Sequence, residues 1–193
     1  MPEEEIETYC PGSRAEWRNW LEENHQSKKS VWLVYFRASA NLASLTWSEA
    51  VDEALCFGWI DSTRKTIDGE RFMQYFCRRK PGSTWSKINK EKINVLIRNN
   101  LMTKAGFDAI EIAKQNGTWL LMDAVEELMI PEDLWMALNQ NGSALEFFQS
   151  QPKSIKKTML HWIVTAKRPE TRTRRIAEIA RSAAQGVRPD RFR

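Results

Sequence analysis

Cysteine and histidine are scarce in this chain: its 193 residues include three of the first and two of the second. Cys10, Cys56 and Cys77 are scattered and odd in number, so they make neither a disulfide framework nor a metal-ligand spacing and read as reduced thiols. His25 and His161 lie far apart and lack Cys or carboxylate partners at ligand spacing, so no metal site is expected. The longest apolar run, Val31 to Phe36, is far short of the roughly 20 residues a membrane span needs. The start, Met1 to Glu7, lacks the basic and apolar stretches of a secretory signal, which predicts a cytoplasmic location. Also missing are a glycine-rich phosphate loop, a Gly-x-Ser-x-Gly elbow and a dinucleotide fingerprint, so no cofactor is expected. No repeat and no low-complexity tract is present.

Hydrophobic residues make up 42% and charged residues 28%, the balance of an ordinary globular chain with one domain or two small ones. The net charge of +4 hides four blocks. Residues 1–61 are net −6, residues 62–92 net +6, residues 93–152 net −5 and residues 153–193 net +9. Folding can let acidic and basic blocks neutralise one another, or it can join the two basic blocks into one anion-attracting surface.

Ser13 to Glu16 has the form of a capping box that opens a helix running to about His25. Val31 to Phe36, β-branched and aromatic, reads as a buried strand. Asn41 to Leu45 reads as a loop. Thr46 to Glu49 is a second box, followed by Val51, Ala54 and Leu55 at helical spacing and by Gly58, suited to a left-handed helix end. Trp59 to Thr66 and Arg71 to Arg78 are strand-like, and Asp68-Gly69 between them is a hairpin signal. After the Pro81-Gly82 turn the pattern is helical. One helix, capped by Ser86 or Asn89, carries Ile88, Ile93, Leu96 and Ile97. The next is capped by Thr103, with Phe107, Ile110 and Ala113 inward. Pro131 opens a short helix, Ser143 to Glu146 is a third box, Ser154 starts a further helix, and Pro169 begins the last one. Val187 to Arg193 reads as a frayed tail. The expectation is an α+β fold. A three-stranded antiparallel sheet with flanking helices fills residues 1–100 and an all-helical part fills 101–193, as two parts or as one compact domain.

Four stretches resemble the YdeI/OmpD-associated, or bacteriocin-protection, family: Glu53 to Ser62, Pro81 to Asn89, Leu101 to Gly106 and Ala166 to Ile176. The resemblance runs from about Trp17 to Gly186. It implies a link to tolerance of bacteriocins and cationic antimicrobial peptides, and it brings no catalytic residues to carry over. Two departures stand out: Arg78 replaces the proline usual before Arg-Lys-Pro-Gly, and Asn100 replaces a glycine before Leu-Met.

The fourth stretch is the most informative physically. A helix that starts at Pro169 places Arg172, Arg174 and Arg175 near the positive end of its dipole, where cations are unfavourable. Arg168, Arg172 and Arg175 share one face, and such forks beside free backbone N–H groups suit a carboxylate, sulfate or phosphate. The candidate ligand set is Lys167, Arg168, Thr171, Arg172 and Arg175, with Trp59, Asp61 and Ser62 at a strand mouth. Equally, these arginines could clamp the helix to acidic residues of the same chain. A second set, Arg78, Arg79, Lys80, Trp85 and Lys87, suits a single-stranded nucleic acid, with Trp85 as stacking platform or else as a core anchor. Glu49 and Glu53, one turn apart, read as solvated more readily than as an acid/base pair. Cys77, beside Arg78 and Arg79, could have a lowered thiol pKa. The tryptophans read mainly as core. The leading expectation is a non-enzymatic binding protein for a small anion or acidic protein partner. The alternatives are a nucleic-acid binder and an enzyme of unknown reaction.

Overall fold

The computed structural model describes residues 7–37, 40 and 45–192. Of the expected loop from Asn41 to Leu45, only its last residue falls among them. The chain packs as two compact units, Met1–Trp119 and Leu120–Arg193.

The first unit is α+β. Its sheet has four strands, β1 (Thr8–Tyr9), β2 (Ser30–Phe36), β3 (Trp59–Thr66) and β4 (Arg71–Arg78), in the order β1-β2-β4-β3. The three long strands pair antiparallel as expected. The expected three-stranded sheet is corrected by β1, which pairs parallel to β2 with Thr8 opposite Trp32 and makes the sheet mixed. Two residues carry no periodicity. What places them is the bond from the Trp32 amide to the Glu7 carbonyl, at 2.9 Å.

Helix α1 (Arg14–Asn24) begins with the Ser13 hydroxyl accepting the Glu16 amide, but the Glu16 carboxylate turns to the Gly12 amide, so the box is half formed. In α2 (Trp47–Cys56) both halves of the Thr46–Glu49 box are present. Trp17 and Trp20 stack with centroids 5.2 Å apart and reach Phe76 of β4 and Trp59 of β3 edge-on, at 5.5 and 5.8 Å. This ladder seals α1 onto one face of the sheet. Buried Glu53 of α2 accepts from Arg14 Nε at 2.6 Å and Arg18 Nη1 at 2.7 Å, which ties α1 to α2.

Ser86 caps α3 (Lys87–Arg98). Helix α4 (Lys104–Gln115) follows, and Thr103 spends its hydroxyl on the Cys56 carbonyl at 2.7 Å rather than on its own helix start. Ile110 and Ala113 are buried as expected, whereas Phe107 and Ile88 are exposed. Helix periodicity identified the right elements but overstated the width of their apolar stripes.

The second unit is helical: α5 (Leu121–Glu126), α6 (Glu132–Asn139), α7 (Gly142–Ser150), α8 (Lys153–Val164) and α9 (Pro169–Ala184). Leu134, Leu138, Phe148, Leu160, Ile163 and Ile179 form its core. The expected Ser143–Glu146 box is not the cap of α7. Asn141 is, its side-chain oxygen accepting the Ser143 amide. The tail is ordered through Phe192, which meets Trp162 edge-on at 5.4 Å after a 3-10 turn at Asp190–Phe192.

Candidate functional site

The two halves of the first expected ligand set fall in different units. In the second unit, Arg168 occupies the N-cap of α9 and, with Lys167, is exposed, while Thr171 is half-buried. Arg172 is engaged: its Nε and Nη2 grip the two oxygens of Asp133 on α6 at 2.7 and 2.9 Å. Arg175 donates to the Trp162 carbonyl of α8 and lies 5.2 Å from that ring. The forks that the sequence places at the positive end of α9 thus hold α9 against α6 and α8. In the first unit, Trp59 is fully buried and donates to the His25 carbonyl. Asp61 accepts from Trp47 and Gln74 at 2.9 and 3.0 Å, and the Ser62 carbonyl accepts from Gln74 at 2.8 Å.

The second set is more concentrated. Arg78, Arg79, Lys80 and Trp85 line one cleft of about 320 Å³ in the first unit, and Lys87 does not line it. Strand β4 ends at Arg78, so the three consecutive cations leave the sheet together and enter the Pro81-Gly82 turn. His25 and Gln26 just past α1, Phe57 and Gly58 past α2, and Ala105, Ala109 and Ile112 on α4 complete the cleft. Gly58 has φ +71°, and a Cβ there would lie 2.9 Å from the Ala105 carbonyl oxygen, so a bare backbone is required between wall and floor.

Arg79 is the unusual residue. Its guanidinium lies 3.6 Å from the centroid of the Trp85 ring, and Nη1 donates to the Thr84 carbonyl at 3.0 Å. Nε and Nη2 are closed to solvent and have no hydrogen-bond partner. Burial pushes the group down to about 10, against opposing pulls from Asp61 and Cys77, so it is still a cation at neutral pH. Leaving such donors unmatched costs about 1–3 kcal/mol, more for a charged group. Arg78 differs: it is exposed and donates Nε to the Lys28 carbonyl. Asp108, an acid on the cleft wall, is held by Lys104 at 2.7 Å. His25 shares Nδ1 with the Leu21 carbonyl at 2.8 Å, leaving Nε2 as its other polar ring atom.

Trp85 is 2% exposed, its ring against Arg79 on one side and near Trp119 at 5.1 Å. It anchors the loop in the core and offers a base no open face. The Cys77 thiol is raised by burial despite Lys80 and Arg79, which corrects the expected lowering. Cys56 is pushed up to about 11 by burial and by Glu53. Glu49 is occupied by its own helix start and Glu53 by two arginines, so the pair has no acid/base geometry. Among the described residues, no group of three or more His, Cys, Asp and Glu could hold a metal ion, and no helix is long and apolar enough to cross a membrane.

Sequence reasoning named the cations of the cleft but missed its second wall. The available signal was the spacing Ala105, Ala109, Ile112 and Ala113, a row of small and apolar residues on one face of α4.

Residues 9–109 match a family described as a domain of unknown function (DUF8412). Residues 127–186 match the family described as bacteriocin-protection, YdeI or OmpD-associated. Of the four stretches that carried the resemblance, Ala166 to Ile176 lies in the second match and the other three lie in the first. No curated protein and no solved structure matches the chain significantly.

Proposed function

We propose that this chain, whose residues 127–186 match the bacteriocin-protection, YdeI- or OmpD-associated family, acts as a cytoplasmic binding protein, not a catalyst, whose ligand is a small anion held in the cleft of the first unit. The observation that carries this reading is Arg79, a cation with Nε and Nη2 buried and unmatched beside a cleft. An anionic oxygen supplies what those donors lack. Arg78 and Lys80 on the same turn add attraction, and the acid on the cleft wall is already paired. Arginines 172 and 175 are weaker candidates because their donors are engaged inside the second unit.

Thermal unfolding at constant ionic strength tests the reading. Inorganic phosphate or sulfate at about ten times its Kd should stabilise the chain by about 1.4 kcal/mol, a rise of a few degrees in Tm. Arg79→Leu and Lys80→Ala should each reduce that response, and Arg172→Gln should leave it intact. A response abolished by Arg172→Gln and kept in Arg79→Leu would move the site to the start of α9. Binding of a single-stranded oligonucleotide that falls steeply with salt, without any phosphate response, would favour the nucleic-acid reading instead.

A further inference from the structure

We propose that the ligand of this cleft is an organic monocarboxylate with an apolar body, an inference that rests on the anion-binding reading above. Two features select it: which edge of Arg79 lacks a partner, and what else lines the cleft beside it.

A guanidinium presents distinct edges. With Nη1 committed to the Thr84 carbonyl, Arg79 retains Nε–H and Nη2–H, which project side by side. The same chain shows what this edge is suited to. Arg172 uses its own Nε and Nη2 to hold both oxygens of the Asp133 carboxylate, at 2.7 and 2.9 Å. The unmatched edge of Arg79 is therefore the size of one carboxylate, bound bidentately. The Trp85 ring centroid lies 3.6 Å from the guanidinium carbon, and the ring restricts the positions the fork can take. Both nitrogens are closed to solvent, so binding of a carboxylate requires the guanidinium to shift toward the cleft.

One wall of the lining is not what a bare inorganic anion prefers. Phe57, Ala105, Ala109 and Ile112 give the cleft an apolar wall, built from the end of α2 and one face of α4. A strongly hydrated ion such as phosphate or sulfate would lose water against this wall and gain nothing from it. A short alkyl or aryl group would bury apolar surface there, and a cleft of about 320 Å³ lies at the small end of the range for small-molecule sites. One cationic end and one apolar wall in a space of that size specify a small amphipathic acid.

NMR titration of the full chain with acetate, butanoate, hexanoate and octanoate, with inorganic phosphate and hexanol as comparators, tests this directly. Affinity should rise about fourfold per methylene until the cleft is full. Hexanoate should exceed both phosphate and hexanol by at least tenfold. Ala109→Leu, which fills the apolar wall, should flatten the chain-length dependence while acetate still binds. Arg79→Lys should weaken hexanoate by tenfold or more. If phosphate binds and the carboxylates show no dependence on length, the anion reading stands and this inference falls. If hexanol binds as well as hexanoate, the site is merely apolar and the inference falls. If nothing binds, both fall. The hexanol and phosphate comparisons use the unmodified chain, so they decide the matter even if Arg79→Lys fails to fold.

Discussion

Arg79 and Arg172 carry the same side chain, and their surroundings give them different work. Arg172 meets Asp133, a carboxylate 39 positions earlier in the chain, and the pair fastens two helices. Its hydrogen bonds hold the Asp133 carboxyl below the usual carboxylate range. A folded-state value below the unfolded one means that the contribution is complete above the unfolded value and fades as pH falls through the folded one. Asp133→Asn should therefore lower stability at pH 7 by about 0.5–1 kcal/mol, a modest figure because the pair is partly exposed. The gap between wild type and variant should narrow as pH falls below the usual carboxylate range and close only below the lowered folded-state value. Urea unfolding at pH 7 and at pH 3 reads this out, and a gap of equal size at both values would mean the carboxylate's charge is not what stabilises the contact. The sequence showed that Arg168, Arg172 and Arg175 share a face of α9. It could not show that Asp133 on α6 and the Trp162 carbonyl on α8 would come to meet that face, because those are tertiary neighbours with no signature in local spacing.

At the level of elements, α4 shows how a close backbone approach fixes one wall of the cleft. Gly106 sits where an added Cβ would lie 2.3 Å from the Cys56 carbonyl oxygen, the same oxygen that accepts from the Thr103 amide and hydroxyl. The end of α2 is docked on the first turn of α4 through one carbonyl and one missing side chain. Gly106→Ala should push α4 off α2 and cost about 1–3 kcal/mol or more, since backbone on both sides resists the shift. Gly82→Ala, where nothing lies within 4 Å, should change stability by less than about 0.5 kcal/mol. Denaturant midpoints of the two variants make the comparison, and equal effects would remove the steric account. Much at this level was legible. Capping residues, the Asp68-Gly69 hairpin and the proline that opens α9 fix most of the elements through short-range chemistry. What escaped were β1, too short for a pattern, α5, and the exposure of Phe107 and Ile88, which depends on what packs against α3 and α4 rather than on period.

For the molecule as a whole, the charge blocks resolve into pairs inside each unit. In the first, Asp52 of the leading acidic block meets Lys92 of the first basic block at 2.5 Å. In the second, Glu126 and Asp133 meet Lys157 and Arg172. Neutralisation between neighbouring blocks therefore accounts for part of the alternation, and what Arg79 retains is an exception to it. Each unit also closes its own hydrophobic cluster, and the two family matches fall one in each. A segment that closes its own hydrophobic core meets the condition under which a domain can fold alone. Residues 120–193 expressed by themselves should accordingly show a helical far-UV spectrum and a cooperative thermal transition. Leu134→Ala, which empties a fully buried position, should cost that fragment about 2–4 kcal/mol and abolish the transition if its total stability is no larger. A fragment with helical signal but no cooperative melt would show that the packing of its core depends on residues before Leu120, because hydrogen-bonded helices survive without fixed side chains and a specific core does not.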